Sequence, residues 1–158
     1  MAKNNFAEEY ARELECRRQF NEARETGNAE MEEAARAAHQ LLADQIKAKG
    51  SIYEMVFRFY CEAQERGNKY LDLNEVIWDD KVTALIDSLR EYGIEKFTFS
   101  STWSSAVETA WLFTQNGCRL EGIVEINGKC KAFMSEEYEK AHGYLFSIGD
   151  TEEKLKKT

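Results

Sequence analysis

The sequence contains no proline, although average usage would place about eight prolines in a chain of 158 residues. Without proline there is no proline kink in a helix, no polyproline segment and no X–Pro bond that can adopt the cis form. We therefore expect long uninterrupted helices whose ends and turns are made by glycine and asparagine.

Histidine and cysteine are too few and too scattered for a metal centre or for a nucleophile assisted by histidine. The two histidines, His39 and His142, lie far apart, and the four cysteines form no C-x-x-C pair. The G-x-S-x-G motif of serine hydrolases is missing as well. The sequence therefore predicts no metal, no cofactor and no catalytic residue, and it favours a protein that is not an enzyme.

Neither a membrane nor a nucleic acid is an expected partner. No apolar run approaches the about 20 residues that a membrane helix needs. Lys and Arg total 21 against 29 Asp and Glu, so the net charge is −8 and no basic surplus remains to neutralise phosphates. The first residues contain no apolar stretch of the signal-peptide kind, so we expect a cytoplasmic protein with reduced thiols.

The first half of the sequence has the periodicity of helices, with apolar residues at intervals of three and four. Gly27 followed by Asn28 fits the end of one helix and the start of the next, which predicts a helical hairpin over residues 1–50. Two further helices are expected, one over residues 52–66 and one that opens with the acidic pair at 79–80. The hairpin also offers a surface for a homodimer joined through its two helices.

From residue 96 the apolar period changes from 3.6 to 2, which predicts strands around a helix that runs from 105 to 116. Asn127-Gly128 predicts a tight type I′ hairpin turn. A short helix is expected to open at Ser135. The predicted strands are 96–100, 120–126, 129–134 and, at the edge of the sheet, 144–148.

These patterns together predict an α+β fold. In it, N-terminal helices (a helical hairpin and two core helices) pack with a C-terminal β-α-β-β unit of three to four strands. We expect a single structural unit that comprises a helical hairpin arm over 1–50, an α+β core over 51–150 and a charged tail over 151–158.

The most distinctive local feature is a hydroxyl-rich turn between a strand and a helix. One interpretation is a set of redundant N-caps for the helix that follows. The alternative is a site for a small ligand or a nucleotide, because hydroxyls and backbone amides at a helix start attract anions. The glycine-rich motifs that usually hold phosphates are missing. The turn consists of Ser100, Ser101, Thr102, Trp103, Ser104 and Ser105.

Acidic residues surround a tryptophan just before the helix that opens at residue 79. They fit helix capping and solubility, or a surface that binds a basic protein by imitating the charge of nucleic acid. Farther along, Trp111 and Phe113 lie two positions apart on one helix, so one belongs to the core and the other is exposed enough to anchor an interface. The candidate partner-binding residues are Asp72, Glu75, Trp78, Asp79 and Asp80.

The segment from Phe57 to Asn127 resembles a group of small uncharacterised proteins carried on mobile elements of gut Firmicutes. The resemblance covers just under half of the chain and rests on FTFSSTWSS at 97–105 and NGCRLEG at 116–122. It implies a bacterial protein encoded on a plasmid, a transposon or a phage. Small acidic proteins of such elements often act by binding another protein, and some inhibit host defence nucleases.

The sequence therefore favours a non-enzymatic, acidic module that binds a protein with a basic surface. Its narrower form is an inhibitor of a host nuclease such as a CRISPR effector, that is, an anti-CRISPR protein. The alternative is a small-ligand or nucleotide-binding domain that uses the turn at 100–105.

Overall fold

In the computed structural model, which describes residues 4–75 and 77–149, helices come first and most strands follow. The described residues form five helices and one mixed four-stranded sheet, which confirms the predicted α+β fold. The charged tail predicted over 151–158 lies outside the described residues. The elements are α1 (Phe6–Thr26), α2 (Ala29–Ala48), α3 (Ser51–Arg66), β1 (Leu71–Leu73), α4 (Asp79–Glu91), β2 (Lys96–Phe99), α5 (Ala106–Gln115), β3 (Cys118–Lys131) and β4 (Tyr138–Ile148).

The described residues group into two compact units, 4–58 and 59–149. In the first unit, α1 and α2 pack together as the predicted hairpin. Gly27 ends α1 in the left-handed region, with a φ of 68°, where glycine is favoured. The Asn28 side chain accepts a hydrogen bond of 3.0 Å from the backbone N–H of Met31 and so caps α2. Both local predictions for this turn are confirmed.

A buried carboxylate connects the beginning of α1 to α3 within the first unit. Glu9 accepts hydrogen bonds from the Tyr53 hydroxyl and, at 2.8 Å, from Lys49 Nζ. Burial, followed by the hydrogen bond to Glu9, raises the pKa of Tyr53. The same carboxylate raises the pKa of Lys49. The Tyr53 ring also lies 4.9 Å from the Phe6 ring, so this polar group is closed off by apolar packing.

The second unit is built on a sheet with the strand order β1-β2-β4-β3. β1 and β2 are parallel, with Leu71 opposite Phe97, and the chain crosses between them through α4. β2 pairs with β4 and β4 pairs with β3, in both cases antiparallel. The carboxyl ends of β1 and β2 therefore meet at one edge of the sheet.

Phe113 on α5 is the centre of the apolar packing on one face of this sheet. Its ring meets Phe97, Phe99 and Phe146 edge-on, with ring centroids 5.2, 5.2 and 5.4 Å apart. These four rings are almost completely buried, whereas Trp111 on the same helix is exposed. The expectation that Trp111 and Phe113 divide between surface and core is confirmed.

Three predictions for the C-terminal region are wrong. Asn127-Gly128 is not a hairpin turn, because β3 continues through it to Lys131 and the chain reverses over 132–137. No helix opens at Ser135, since the turn there leads directly into β4. β4 is also not an edge strand, because it lies between β2 and β3.

None of the helices formed by residues 4–75 and 77–149 has both the length and the apolar character that a membrane span requires. In the same part of the chain, no group of three or more His, Cys, Asp or Glu side chains is placed to hold a metal ion.

Candidate functional site

The hydroxyl-rich turn begins where β2 ends, and it meets the end of β1 there. The Ser100 backbone N–H donates a hydrogen bond of 3.0 Å to the Leu73 carbonyl and extends the parallel ladder by one residue. The Ser100 hydroxyl donates at 2.7 Å to one oxygen of Asp72, and the Thr98 hydroxyl donates at 2.7 Å to the other. The structure thus brings together residues that the sequence analysis had assigned to two different sites.

A cavity of about 230 Å³ lies at this edge of the sheet. The end of α3, the carboxyl ends of β1 and β2, and the hairpin of β3 and β4 contribute to its wall. The Arg66 side chain is only 10% exposed, and its Nη2 lies 3.4 Å from an oxygen of Glu62. Lining residues include Arg66, Asp72, Ser100, Ser101, Trp103 and Lys129.

The six residues of the predicted turn do not act as one group. Ser100, Ser101, Thr102 and Trp103 line the cavity, whereas Ser104 and Ser105 do not and are exposed. Ser105 occupies the N-cap position of α5, as the N-cap interpretation predicts, but its side chain makes no capping hydrogen bond. The hydroxyl-rich composition therefore serves the cavity and the contact with β1 more than it serves the start of α5.

The three tryptophans of the chain are the second candidate feature, because all of them are exposed. Trp78, Trp103 and Trp111 are 73%, 74% and 55% exposed, and Val107 is 70% exposed. Val107 and Trp111 lie one turn apart on α5, and Trp103 lies in the turn that precedes this helix. We call these four residues the tryptophan face.

α4 packs against α5, and Trp78 directly precedes α4. The buried Thr109 hydroxyl on α5 donates a hydrogen bond of 3.4 Å to the carbonyl of Ile77, the residue directly before Trp78. Thr109 and Phe113 point inward from α5, so Val107 and Trp111 occupy the opposite, outer side of the helix.

The predicted acidic set divides between the surface and the interior. Glu75, Asp79 and Asp80 are exposed next to Trp78, with Asp79 and Asp80 in the first turn of α4. Asp72 is 3% exposed, and both of its oxygens accept hydrogen bonds, so it does not belong to this surface. Its position in β1 makes it part of the wall of the cavity.

Arg66, Val107 and Lys129 were not among the residues selected from the sequence. Arg66 and Lys129 look like ordinary solvated charges, and only the long-range contact of α3 with β3 places them at one cavity. Val107 carried a readable signal, because it stands four residues before Trp111 on the same helix.

Comparison with protein families gave one match, and it includes both surfaces. The model described as Domain of unknown function (DUF7698) matches residues 55–148. The search of curated proteins and the search of solved structures each returned no match. The matched segment contains the cavity, the tryptophan face and the whole sheet, and it leaves out α1 and α2. Since this segment covers more than half of the 158 residues, the chain belongs to the DUF7698 family.

Proposed function

We propose that this chain is a non-enzymatic interaction module that binds a protein with a basic surface through its tryptophan face. One observation carries the proposal: all three tryptophans of the chain are more than half exposed, and one of them, Trp78, directly precedes the acidic start of α4. Phenylalanines fill the core of the same unit. The tryptophans are therefore surface residues in a chain that has other aromatic residues for packing.

Tryptophan is the side chain best suited to anchor a protein interface. It is enriched among the residues that dominate binding energy, because one rigid ring removes a large apolar area from water. Each tryptophan can bury about 150–250 Å², and a standard interface buries about 800 Å² on each partner. Three tryptophans and Val107 therefore supply much of the apolar centre that such an interface needs.

The charges around the tryptophan face favour a basic partner. Glu75, Asp79, Asp80 and Glu108 are all exposed at or next to its members in sequence, and the chain carries a net charge of −8. Complementary charges steer association and suppress wrong partners, and their contribution weakens as salt screens them. Binding is therefore expected to weaken at high ionic strength.

Proteins that handle nucleic acid are the class with the required basic surface, because they neutralise phosphates with Lys and Arg. The resemblance to small proteins of bacterial mobile elements supports the same class, since such elements meet host nucleases. The narrower proposal is therefore that the chain acts in the bacterial cytoplasm as an inhibitor of a defence nuclease, for example a CRISPR effector.

A pull-down from a bacterial host lysate at low and at high salt tests the partner class. We expect a strongly basic protein to be retained at low salt and released at high salt. The variant Asp79→Asn/Asp80→Asn is expected to retain less of it. The matched control Glu30→Gln/Glu33→Gln removes two exposed charges from α2 and is expected to retain as much as the wild type.

Two results would contradict the proposal. One is a pull-down with no protein above background, and the other is a partner whose retention neither salt nor Asp79→Asn/Asp80→Asn reduces. The narrower proposal requires in addition that the captured nuclease loses DNA cleavage as the chain is added in excess. Full cleavage at saturating chain would remove the inhibitor interpretation and leave the binding interpretation in place.

A further inference from the structure

The cavity at the carboxyl ends of β1 and β2 has features of a ligand site that the protein-binding proposal does not use. We propose that it binds a small organic anion with a single carboxylate or phosphate group, held by Arg66 and Lys129. In open sheets with parallel strands, ligands bind in the crevice outside the carboxyl ends of the strands. The cavity occupies that position, because Asp72 lies in β1, Asn74 directly follows β1 and Ser100 directly follows β2.

Arg66 provides the main reason to expect an anion. A guanidinium has five N–H donors and remains charged, so a largely buried one needs partners of opposite charge. Its side chain is only 10% exposed, and among the described residues its one partner is Glu62, at 3.4 Å through Nη2. A bidentate contact with a carboxylate or phosphate would use donors that Glu62 leaves available. Lys129 adds a second, exposed cation at the same cavity.

Asp72 does not reverse the preference for an anion, because two cations, Arg66 and Lys129, line the cavity against this one carboxylate. Its two oxygens accept hydrogen bonds of 2.7 Å from Thr98 and Ser100. Ser101 provides a further donor, since its oxygen accepts from the Trp103 N–H at 3.4 Å and its own hydrogen meets no acceptor among the described residues. A ligand oxygen can therefore accept from Ser101 as well as from Arg66.

The size of the cavity limits the ligand to about one ring. Its volume of about 230 Å³ is below the about 300–1,000 Å³ of pockets for drug-sized ligands. Trp103 lines the cavity with a side chain that is mostly exposed, so its ring is available to stack on a planar ligand. A phenyl ring with one anionic group has the required size and charge.

The test titrates the full chain with benzoate, phenyl phosphate, inorganic phosphate and the neutral analogue benzamide. NMR follows the backbone amide signals of residues 100–103 and the indole signal of Trp103. We expect saturable shifts with benzoate or phenyl phosphate and none with benzamide. Stronger binding of benzoate would identify a carboxylate site. Stronger binding of phenyl phosphate, with competition by inorganic phosphate, would identify a phosphate site.

Variants show whether Arg66 and Lys129 hold the anion. Arg66→Gln is expected to weaken binding at least tenfold, and Lys129→Gln to weaken it several-fold. Lys129 is exposed, so Lys129→Gln keeps the test decisive if Arg66→Gln does not fold. The matched control Lys81→Gln removes an exposed cation of α4 outside the cavity and is expected to change nothing.

Two outcomes would overturn the proposal: equal shifts with benzamide and benzoate, or no saturable shift with any of the four compounds. The proposal would also be overturned if Lys129→Gln bound the anion as tightly as the wild type and Arg66→Gln, where it folds, did so as well. Trp103 belongs to both the cavity and the tryptophan face, whereas Trp78 and Trp111 do not line the cavity. Replacement of Trp78 and Trp111 is therefore expected to leave anion binding unchanged, which separates this result from the protein-binding proposal.

Discussion

Asn68 and Asn127 exchange two hydrogen bonds across 59 positions of the sequence. The Asn68 side chain donates to the Asn127 carbonyl at 3.1 Å and accepts from the Asn127 N–H at 2.8 Å. The Asn127 side chain in turn donates to the Arg66 carbonyl at 2.5 Å and accepts from Lys140 Nζ. These contacts hold the middle of the β3–β4 hairpin against the end of α3, and they keep Arg66 and Lys129 at one cavity.

Replacing Asn68 by alanine is therefore expected to destabilise the second unit. Asn68→Ala leaves the N–H and carbonyl of Asn127 without these partners, and because both groups are only partly buried we expect a cost of about 1 kcal/mol. Urea unfolding measures the change. The control Gln115→Ala changes an exposed amide at the end of α5 and should stay within about 0.5 kcal/mol of the wild type. Equal stability of the two variants would contradict the structural role given to Asn68.

Two aromatic residues on α5 are expected to respond in opposite ways. Phe113→Ala removes a fully buried ring that meets three others, so it should cost about 3–5 kcal/mol of unfolding free energy. Trp111→Ala removes a ring that is largely in water and should change stability by less than about 1 kcal/mol. Thermal unfolding compares them directly. A Trp111→Ala variant as unstable as Phe113→Ala would place Trp111 in the core.

Asp72 is expected to be a structural residue, in contrast to the acidic pair at the start of α4. Asp72→Ala leaves the hydroxyls of Thr98 and Ser100 without their acceptor and should cost about 1–3 kcal/mol. In the folded fraction, affinity for a protein partner should not change, because the carboxylate is buried. Asp79→Asn/Asp80→Asn should instead lower the affinity for the partner and leave the free energy of unfolding nearly unchanged. A partner affinity that falls with Asp72→Ala would assign this residue to the interface.

The hydrogen-bonded group of Glu9, Lys49 and Tyr53 predicts a loss of stability at alkaline pH. The pKa values of Tyr53 and Lys49 are raised in the folded chain above the ordinary values of 10.0 and 10.5. The folded state therefore holds these protons to higher pH than the unfolded state does. Their contribution is complete below the ordinary values and is lost as the pH rises through the folded-state values.

Thermal unfolding measures the contribution of the Tyr53 phenol to stability. The wild type and Tyr53→Phe are compared at a series of alkaline pH values. Other tyrosines with raised pKa values, Tyr60 and Tyr92, remain in both proteins and cancel in the comparison. The stability of the wild type should fall more steeply above about pH 10 than that of Tyr53→Phe. Parallel curves would contradict a raised pKa of Tyr53 in the folded chain.

Features that depend on neighbouring residues could be predicted from the sequence. The turn at Gly27 and Asn28 follows from a left-handed glycine and an asparagine cap, and both act within three residues. The start of α4 at Asp79 follows from the acidic residues of its first turn, which complement the helix dipole. The division between Trp111 and Phe113 follows from helical geometry alone.

Features that depend on distant pairing could not be predicted. Asn127-Gly128 has the composition of a tight turn, but the amide of Asn127 bonds to Asn68 and Arg66, and the strand continues. The chain reverses instead near Met134, which has a φ of 54° although its residue type does not favour that region. The cavity could not be predicted from the sequence either. Asp72 lies beside Ser100 only because the three-residue strand β1 pairs in parallel with β2.

The affinity of the tryptophan variants for the captured partner tests the central claim most directly. Calorimetry with Trp78→Ala/Trp111→Ala should show binding at least about 100-fold weaker than the wild type, because hot-spot residues contribute about 2 kcal/mol or more each. Leu41→Ala/Ile123→Ala removes two exposed apolar side chains elsewhere and should bind like the wild type. Wild-type affinity in the tryptophan variant, with its fold intact by circular dichroism, would contradict the account.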